Sequence, residues 1–422
     1  MLNRSRAIGA FAMFAISIQW SSAQVDVSKA QQYFGEAQAV CSRDAGKLWG
    51  VSLCGPLLFV DPRTRMLVAN QADAKGVLQR EGSVFVGSFP KELNVANHAV
   101  EWSGTRWTQL RWPLTGKDVV SRQGLLAHEM FHRVQEQLGF AAANPGNSHL
   151  DSEAGRVLLR AEMRALKQAL LVKGAARTQA ALDAVGFRAA RRAQFAEAGR
   201  EETSLELNEG LSEYTGIKLS RARREEQLRA AAEALASADH SDSYVRSFAY
   251  STGPAYGLLL DDASRNWRKE IAAKQGSLDK MLAVALKFPT AAPNGSLAKG
   301  DYGLAAIRSE EAARRQKQEA RLADAKARFM DGPVLVIPLV KAQVQFDPNN
   351  LYPFPGQGTV YPDLRLADEW GILTVKSGGA LIASDWSKVT VPASGEGWDL
   401  ELKPGWSKQP GKRAGDFLVF KE

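Results

Sequence analysis

The chain has 422 residues, 45% hydrophobic and 24% charged, a composition rich enough in core formers to exclude a disordered or fibrous protein. Lys plus Arg outnumber Asp plus Glu by 54 to 46, and the resulting +8 is spread along the chain without a basic block, so no nucleic-acid partner is expected. A surface of this charge suits at most a weak association with anionic envelope material.

At the N-terminus Arg4 and Arg6 precede an apolar run from Ile8 to Ile18, which ends in the small residues Ser21-Ser22-Ala23. This is the pattern of a secretory signal peptide over residues 1–23, and it predicts a periplasmic or secreted protein. The run is about half of the ~20 apolar residues that a membrane span needs. No later run approaches that length, so no transmembrane segment is expected in the mature protein. Export makes a disulfide the natural reading of the only two cysteines, Cys41 and Cys54.

Residues 24–115 read as an N-terminal β region containing that disulfide. Apolar runs flank the turn formers Asp61-Pro62-Arg63-Thr64, and a second pair, Ala99–Trp102 and Trp107–Trp112, flanks Ser103-Gly104. Residues 116–290 are rich in Ala, Leu, Glu, Arg and Gln at a helical period, with breaks at Asn144-Pro145-Gly146 and from Ser251 to Pro254. A linker and connecting helix occupy 291–332, the helix being the charge-laced segment from Ser309 to Phe329. Strand alternation returns in 333–422, where Val340, Ala342, Val344 and Phe346 alternate with polar residues and a hairpin is expected at Ser377-Gly378-Gly379. Trp370, Trp386, Trp398 and Trp406 fall in this stretch, as the core of a small β domain or as a stacking surface. The expected fold class is α+β: an antiparallel β region, a mainly helical domain and a small all-β domain.

One segment carries chemistry. Leu125 to Gln135 contains His128-Glu129-Met130-Phe131-His132. In a helix, residues four apart share a face about 6 Å along the axis, so two imidazoles converge on one zinc ion. Glu129, next to His128 on the turn, is then placed as general base toward a water that the metal activates. A catalytic zinc also needs a third protein ligand and an open position. The downstream candidates are Glu209, in Leu207-Asn208-Glu209-Gly210-Leu211-Ser212-Glu213-Tyr214, and Glu153 and Glu162 nearer in sequence, with His149 and Asp151 beside them. Glu213 reads either as the acid that orients a ligand histidine through its free ring nitrogen or as a solvated helix residue. Tyr250 and Tyr256, around Gly253-Pro254, are either donors to a developing oxyanion or core residues with local partners.

His-Glu-x-x-His followed by Asn-Glu-Gly-Leu-Ser resembles the gluzincin class of zinc metallopeptidases, and within it the M1-like aminopeptidase branch. The resemblance implies one Zn2+ per chain held by His128, His132 and Glu209, with Glu129 as base. It further implies a zincin-like domain, a peptide or protein substrate, and an edge strand to which an extended substrate adds. The resemblance covers two short segments and departs from the pattern in spacing, because seventy-six residues lie between His132 and Glu209. An inserted helical pair, Asp151 to Leu171 and Ala181 to Glu197, accounts for the gap. The function expected is that of an exported zinc-dependent metallopeptidase, a hydrolase. The alternative is a non-catalytic envelope protein in which a metal, if bound, staples the helical domain and the tryptophan-rich domain binds a polymer or partner.

Overall fold

The computed structural model describes residues 25–422 apart from Lys117, Gln275, 288–299 and 348–349. The expected signal peptide and most of the Pro- and Gly-rich connection lie outside the described residues. The chain divides into two units, Met1–Ile307 and Arg308–Glu422, and the α+β class holds: a sheet and then helices in the first, all-β sheets in the second.

The first described element is a helix, which corrects the expectation of a β region from residue 24 onward. Helix α1 (Val27–Asp44) is capped by Asp26, whose carboxylate accepts the Lys29 N–H at 3.1 Å, and it buries Ala30, Ala37, Val40 and Cys41 along one stripe. Small residues and glutamines make that stripe faint in the sequence. Cys41 is on it, in the last turns of the helix, and is disulfide-bonded to Cys54 in the following loop.

Strands β1 (Leu57–Val60), β2 (Met66–Ala69), β3 (Gln79–Glu81), β4 (Val84–Ser88), β5 (His98–Trp102) and β6 (Thr105–Arg111) form one sheet in the order β3-β4-β2-β1-β6-β5. All neighbours are antiparallel except β1 and β6. Both expected hairpins are present, and Ser103 and Gly104 carry the positive φ values, 52° and 73°, that a two-residue turn requires. Leu57, Phe59, Val68 and Leu110 face α1, while Leu58, Val60, Leu67 and Trp107 pack on the opposite side.

The helices of this unit follow as α2 (Val119–Val134), α3 (Glu153–Leu171), α4 (Gly174–Arg192), α5 (Ala198–Leu205), a π-turn (Glu206–Gly210), α6 (Leu211–Ser220), α7 (Arg224–Ala238), α8 (Phe248–Ala263), α9 (Trp267–Lys274) and α10 (Leu278–Ala285). They share a core around Trp49, Phe131, Phe140, Tyr214, Tyr256 and Trp267. Helices α3 and α4 stand where a helical pair is expected between His132 and Glu209, with α4 beginning at Gly174 and ending at Arg192 where the expected bounds are Ala181 and Glu197. The break expected from Ser251 to Pro254 is absent: α8 runs through it. Pro254 removes one backbone hydrogen bond, but nearly every residue from Phe248 to Leu260 is buried, and packing outweighs that loss. Gly253 is explained by close approach, since a Cβ there would lie 2.4 Å from Cα of Gly210.

The second unit takes in most of helix α11 (Leu304–Lys326) and continues as a π-turn (Ala327–Asp331) and two sheets, of seven and four strands, around Leu335, Ile337, Leu366, Trp370, Leu373 and Val389. The hairpin expected at Ser377-Gly378-Gly379 is corrected. Strand Gly371–Val375 belongs to the four-stranded sheet and Ala380–Ala383 to the seven-stranded one, so this turn carries the chain between sheets. Trp370 is fully buried with its indole N–H on the Pro338 carbonyl, Trp398 and Trp406 pack against the same core, and Trp386 is half exposed.

Candidate metal centre

Helix α2 is fixed at both ends. Asp118 caps its start, accepting the Ser121 N–H at 2.8 Å. Near its end the Arg133 guanidinium donates to the carbonyls of Leu53 and Cys54, at 2.9 and 3.1 Å, in the disulfide loop. Leu126, Ala127, Met130 and Val134 pack toward the sheet and Phe131 into the helical core, which leaves the face bearing His128 and His132 for the site. Helices α2 and α6 cross at two glycines. A Cβ on Gly216 would stand 2.7 Å from the Gly124 carbonyl oxygen, so the backbones touch and the acids of the π-turn and α6 come opposite the histidines.

The ligating atoms converge. Nε2 of His128 and Nε2 of His132 are 3.1 Å apart, and Oε2 of Glu209 is 3.5 Å from each. Four-coordinate zinc, with ligand bonds of about 2.0–2.2 Å, sets neighbouring ligand atoms about 3.4 Å apart, which this triangle fits. These three residues could hold a metal ion and are the only such group among the described residues. Their outer partners orient the rings. His128 Nδ1 lies 2.9 Å from Oε2 of Glu213, and His132 Nδ1 lies 2.7 Å from Oε1 of Gln135, so both rings are held by Nδ1 with Nε2 turned inward, the nitrogen a metal would take. Gln135 also donates to Asn208 Oδ1 at 2.9 Å, and Asn208 in turn donates to Glu209 Oε1 at 3.3 Å.

Charge in the site favours a cation. Burial opposes protonation of His128, but hydrogen bonds with Glu209 and Glu213 overcome it and push the imidazole up to about 10. Burial likewise works against ionised Glu209, yet the two histidines hold its carboxyl well below the usual carboxylate range. Glu129 differs: it is 4% exposed, burial pushes its pKa up, and its Oε2 has no hydrogen-bond partner. A buried carboxylate oxygen without a partner is costly unless something else meets it.

The site opens on a cleft of about 590 Å3, lined on one side by His98, Ala99 and Glu101 of the edge strand β5 and on the other by Asn144, Arg246 and Tyr250. The Tyr250 ring lies parallel to His128 at 5.8 Å between centroids, and burial followed by the Glu209 charge pushes its phenol up. Arg246 Nη2 is 3.6 Å from Glu209 Oε1.

The structure therefore brings His128, Glu129, His132, Glu209, Glu213 and Tyr250 together. It places the rival ligands elsewhere. Glu162 is fully buried between Arg188 and Arg191, and Glu153 sits in the first turn of α3 outside the ligand group. His149 is bound to Glu202, Asp151 accepts from Ser243 and Tyr244, and the Tyr256 hydroxyl donates to Glu162. Gln135, Asn208, His98 and Arg246 have no role in the sequence reading. Two of them carry a signal there: Gln135 by its spacing of three from His132 on one helix, and Asn208 as the first residue of the Asn-Glu-Gly-Leu-Ser motif. No protein-family model matches the chain, and no curated protein or solved structure matches it.

Proposed function

We propose that this chain is an exported, zinc-dependent metallopeptidase of gluzincin type. The observation that carries the reading is Glu129: a buried carboxylate with an unpartnered oxygen, beside a three-ligand group, on an open cleft. Structural zinc sites use four protein ligands and are closed, whereas catalytic ones use three and keep a position free. That contrast favours the peptidase over a metal-stapled binding protein.

Bound by His128, His132 and Glu209, zinc supplies a Lewis acid and lowers the pKa of a water. Glu129 takes the proton from the attacking water and returns one to the leaving amine, and its raised pKa suits it to both transfers. Tyr250 is the donor for the oxyanion that develops on the scissile carbonyl. Among the described residues β5 is the end strand of its sheet, and His98, Ala99 and Glu101 on it line the cleft, so an extended peptide backbone adding to that edge would run beside the site, which supports a peptide as substrate. Export is supported by the Cys41–Cys54 disulfide, and no described helix is long and apolar enough to cross a membrane.

Metal analysis by inductively coupled plasma mass spectrometry, with hydrolysis of a mixed peptide library, tests the reading on wild type, His128→Ala, Glu209→Ala and Glu129→Gln. About one zinc per chain is expected, lost in both ligand variants. Glu129→Gln is expected to keep zinc while turnover falls by about 10²- to 10⁴-fold. Full turnover by Glu129→Gln would refute the mechanism, and zinc retained by Glu209→Ala would remove Glu209 from the ligand set.

A further inference from the structure

Behind the metal centre is a second charge cluster that the proposed reaction does not use. Arg188, fully buried on α4, donates from Nε to Glu162 at 2.7 Å and from its two terminal nitrogens to both oxygens of Glu206, at 2.6 and 2.7 Å. The Thr252 hydroxyl of α8 donates to the same Glu206 carboxylate at 2.5 Å, and Asp279 of α10 approaches Arg188 at 3.4 Å. Buried ion pairs of this kind are weak contributors to stability compared with apolar packing, so the geometry they specify is the more informative question.

Glu206 opens the π-turn that carries Glu209. The Leu211 N–H bonds the Glu206 carbonyl, an i to i+5 bond that widens this turn. A π-turn advances roughly 80° per residue against about 100° in an α-helix, so side chains three apart point about 120° apart where an α-helix would leave about 60°. The wider angle lets Glu206 reach back to Arg188 while Glu209 reaches forward to the histidines. In an α-turn both acids would crowd toward one side. The arrangement also ties in α8, which supplies both Thr252 to Glu206 and Tyr250 to the cleft, and whose Gly253 is pressed on Gly210.

We infer that Glu206, clamped by Arg188 and Thr252, is a positioning residue that holds the π-turn and so aims Glu209 at the site formed with His128 and His132. The inference rests on the metal-centre reading above, and its test separates the two. Zinc affinity is measured on the full mature chain by competition with a chromophoric chelator. The ligand field is read from the visible d–d bands of the Co2+-loaded protein, because Zn2+ itself is spectroscopically silent. Glu206→Gln, which keeps the shape of the side chain, is expected to fold, to bind zinc about 10- to 100-fold more weakly and to shift the Co2+ bands. Asp279→Asn, in the same cluster but off the π-turn, is expected to lower the melting temperature while leaving affinity and spectrum unchanged. Thr252→Val removes one hydrogen bond from Glu206 without altering charge, so it answers the same question if Glu206→Gln does not fold, with a smaller loss in the same direction. Wild-type affinity and spectrum in Glu206→Gln would overturn the inference, as would an equal loss in Asp279→Asn, which would mark a general softening. Absence of zinc uptake by the wild type, or equal uptake by His128→Ala, would overturn the metal centre itself.

Discussion

Gly253→Ala sets two effects of known size against each other. In an unobstructed helix the change gains about 1 kcal/mol through backbone entropy. In α8 the added Cβ would meet Cα, C and O of Gly210 at 2.4, 2.9 and 3.1 Å, where ordinary contact begins at 3.4 Å. The neighbours are backbone atoms, so no side-chain rotation relieves the overlap, and α8 must part from the π-turn by about 1 Å. Overpacking of this kind costs about 1–3 kcal/mol, which equals or exceeds the helix gain and leaves a net loss of up to about 2 kcal/mol. Gly186→Ala supplies the reference: it is also in mid-helix, on α4, with no heavy atom within 4 Å of the new Cβ, so it should keep the gain. The difference between the two variants in denaturant unfolding is then the steric term alone, about 1–3 kcal/mol. Because the π-turn carries Glu209 and α8 carries Tyr250, a 1 Å separation should also cost about 10²-fold in turnover. Equal stabilisation by both substitutions, with zinc binding and turnover intact in Gly253→Ala, would refute the close-approach argument.

Three further outcomes follow from the structure. Replacing Cys41 and Cys54 together with serine should lower unfolding free energy by about 3 kcal/mol, the chain-entropy value for a 13-residue separation, and an unchanged denaturation midpoint would contradict it. Acid should destabilise the first unit. Burial favours neutral Glu202, but Arg191 holds its carboxyl well below 4.5, and Arg160 and Arg164 similarly hold Asp239 below 3.8 against burial. A depressed folded pKa contributes stability that is present above the unfolded value and lost as pH falls through the folded one, so melting temperature should be level from pH 7 to about 5 and fall below about 4.5. Glu202→Gln should flatten that fall, and a melting temperature level down to pH 3 would exclude the linkage. Tyr250→Phe should retain zinc and lose about 10²- to 10³-fold in turnover on the peptide that the library identifies. Unchanged turnover there would remove the tyrosine from oxyanion stabilisation.

What was legible in the sequence is what one element can announce by itself. The β1/β2 and β5/β6 hairpins carry turn residues between apolar runs, and the α3/α4 pair has a clear helical period, so these were readable locally. Helix α1 was missed because its buried stripe is built from Ala30, Ala37, Val40 and Cys41, which have little contrast with their neighbours. The Gly253-Pro254 pair misled for the opposite reason. It is a strong local breaker signal, overridden by the burial of α8 on almost every side.

The candidate site divides along the same line. His128, Glu129 and His132 are legible because a single turn of helix brings them together, and the residues opposite them are less so. Glu209 could be named from its short motif, but its distinction from Glu162 depends on which way each helix turns its acids, a tertiary property. Both are buried acids flanked by helical residues; one meets two histidines and the other two arginines. The π-turn sharpens this point. An acid three residues from another reads in sequence as its neighbour on one helical face, yet the extra residue in the turn sends Glu206 and Glu209 to different clusters. The two charges are thereby kept apart. With Glu206 held by Arg188, Glu209 is the one acid of the π-turn in the His128/His132 group, and the proposed site keeps the three-ligand count that distinguishes a catalytic metal centre from a closed structural one. The buried arginine on α4 that holds Glu206 away therefore bears on the same proposal as His128, His132 and Glu209 themselves, a three-ligand site with a position left free.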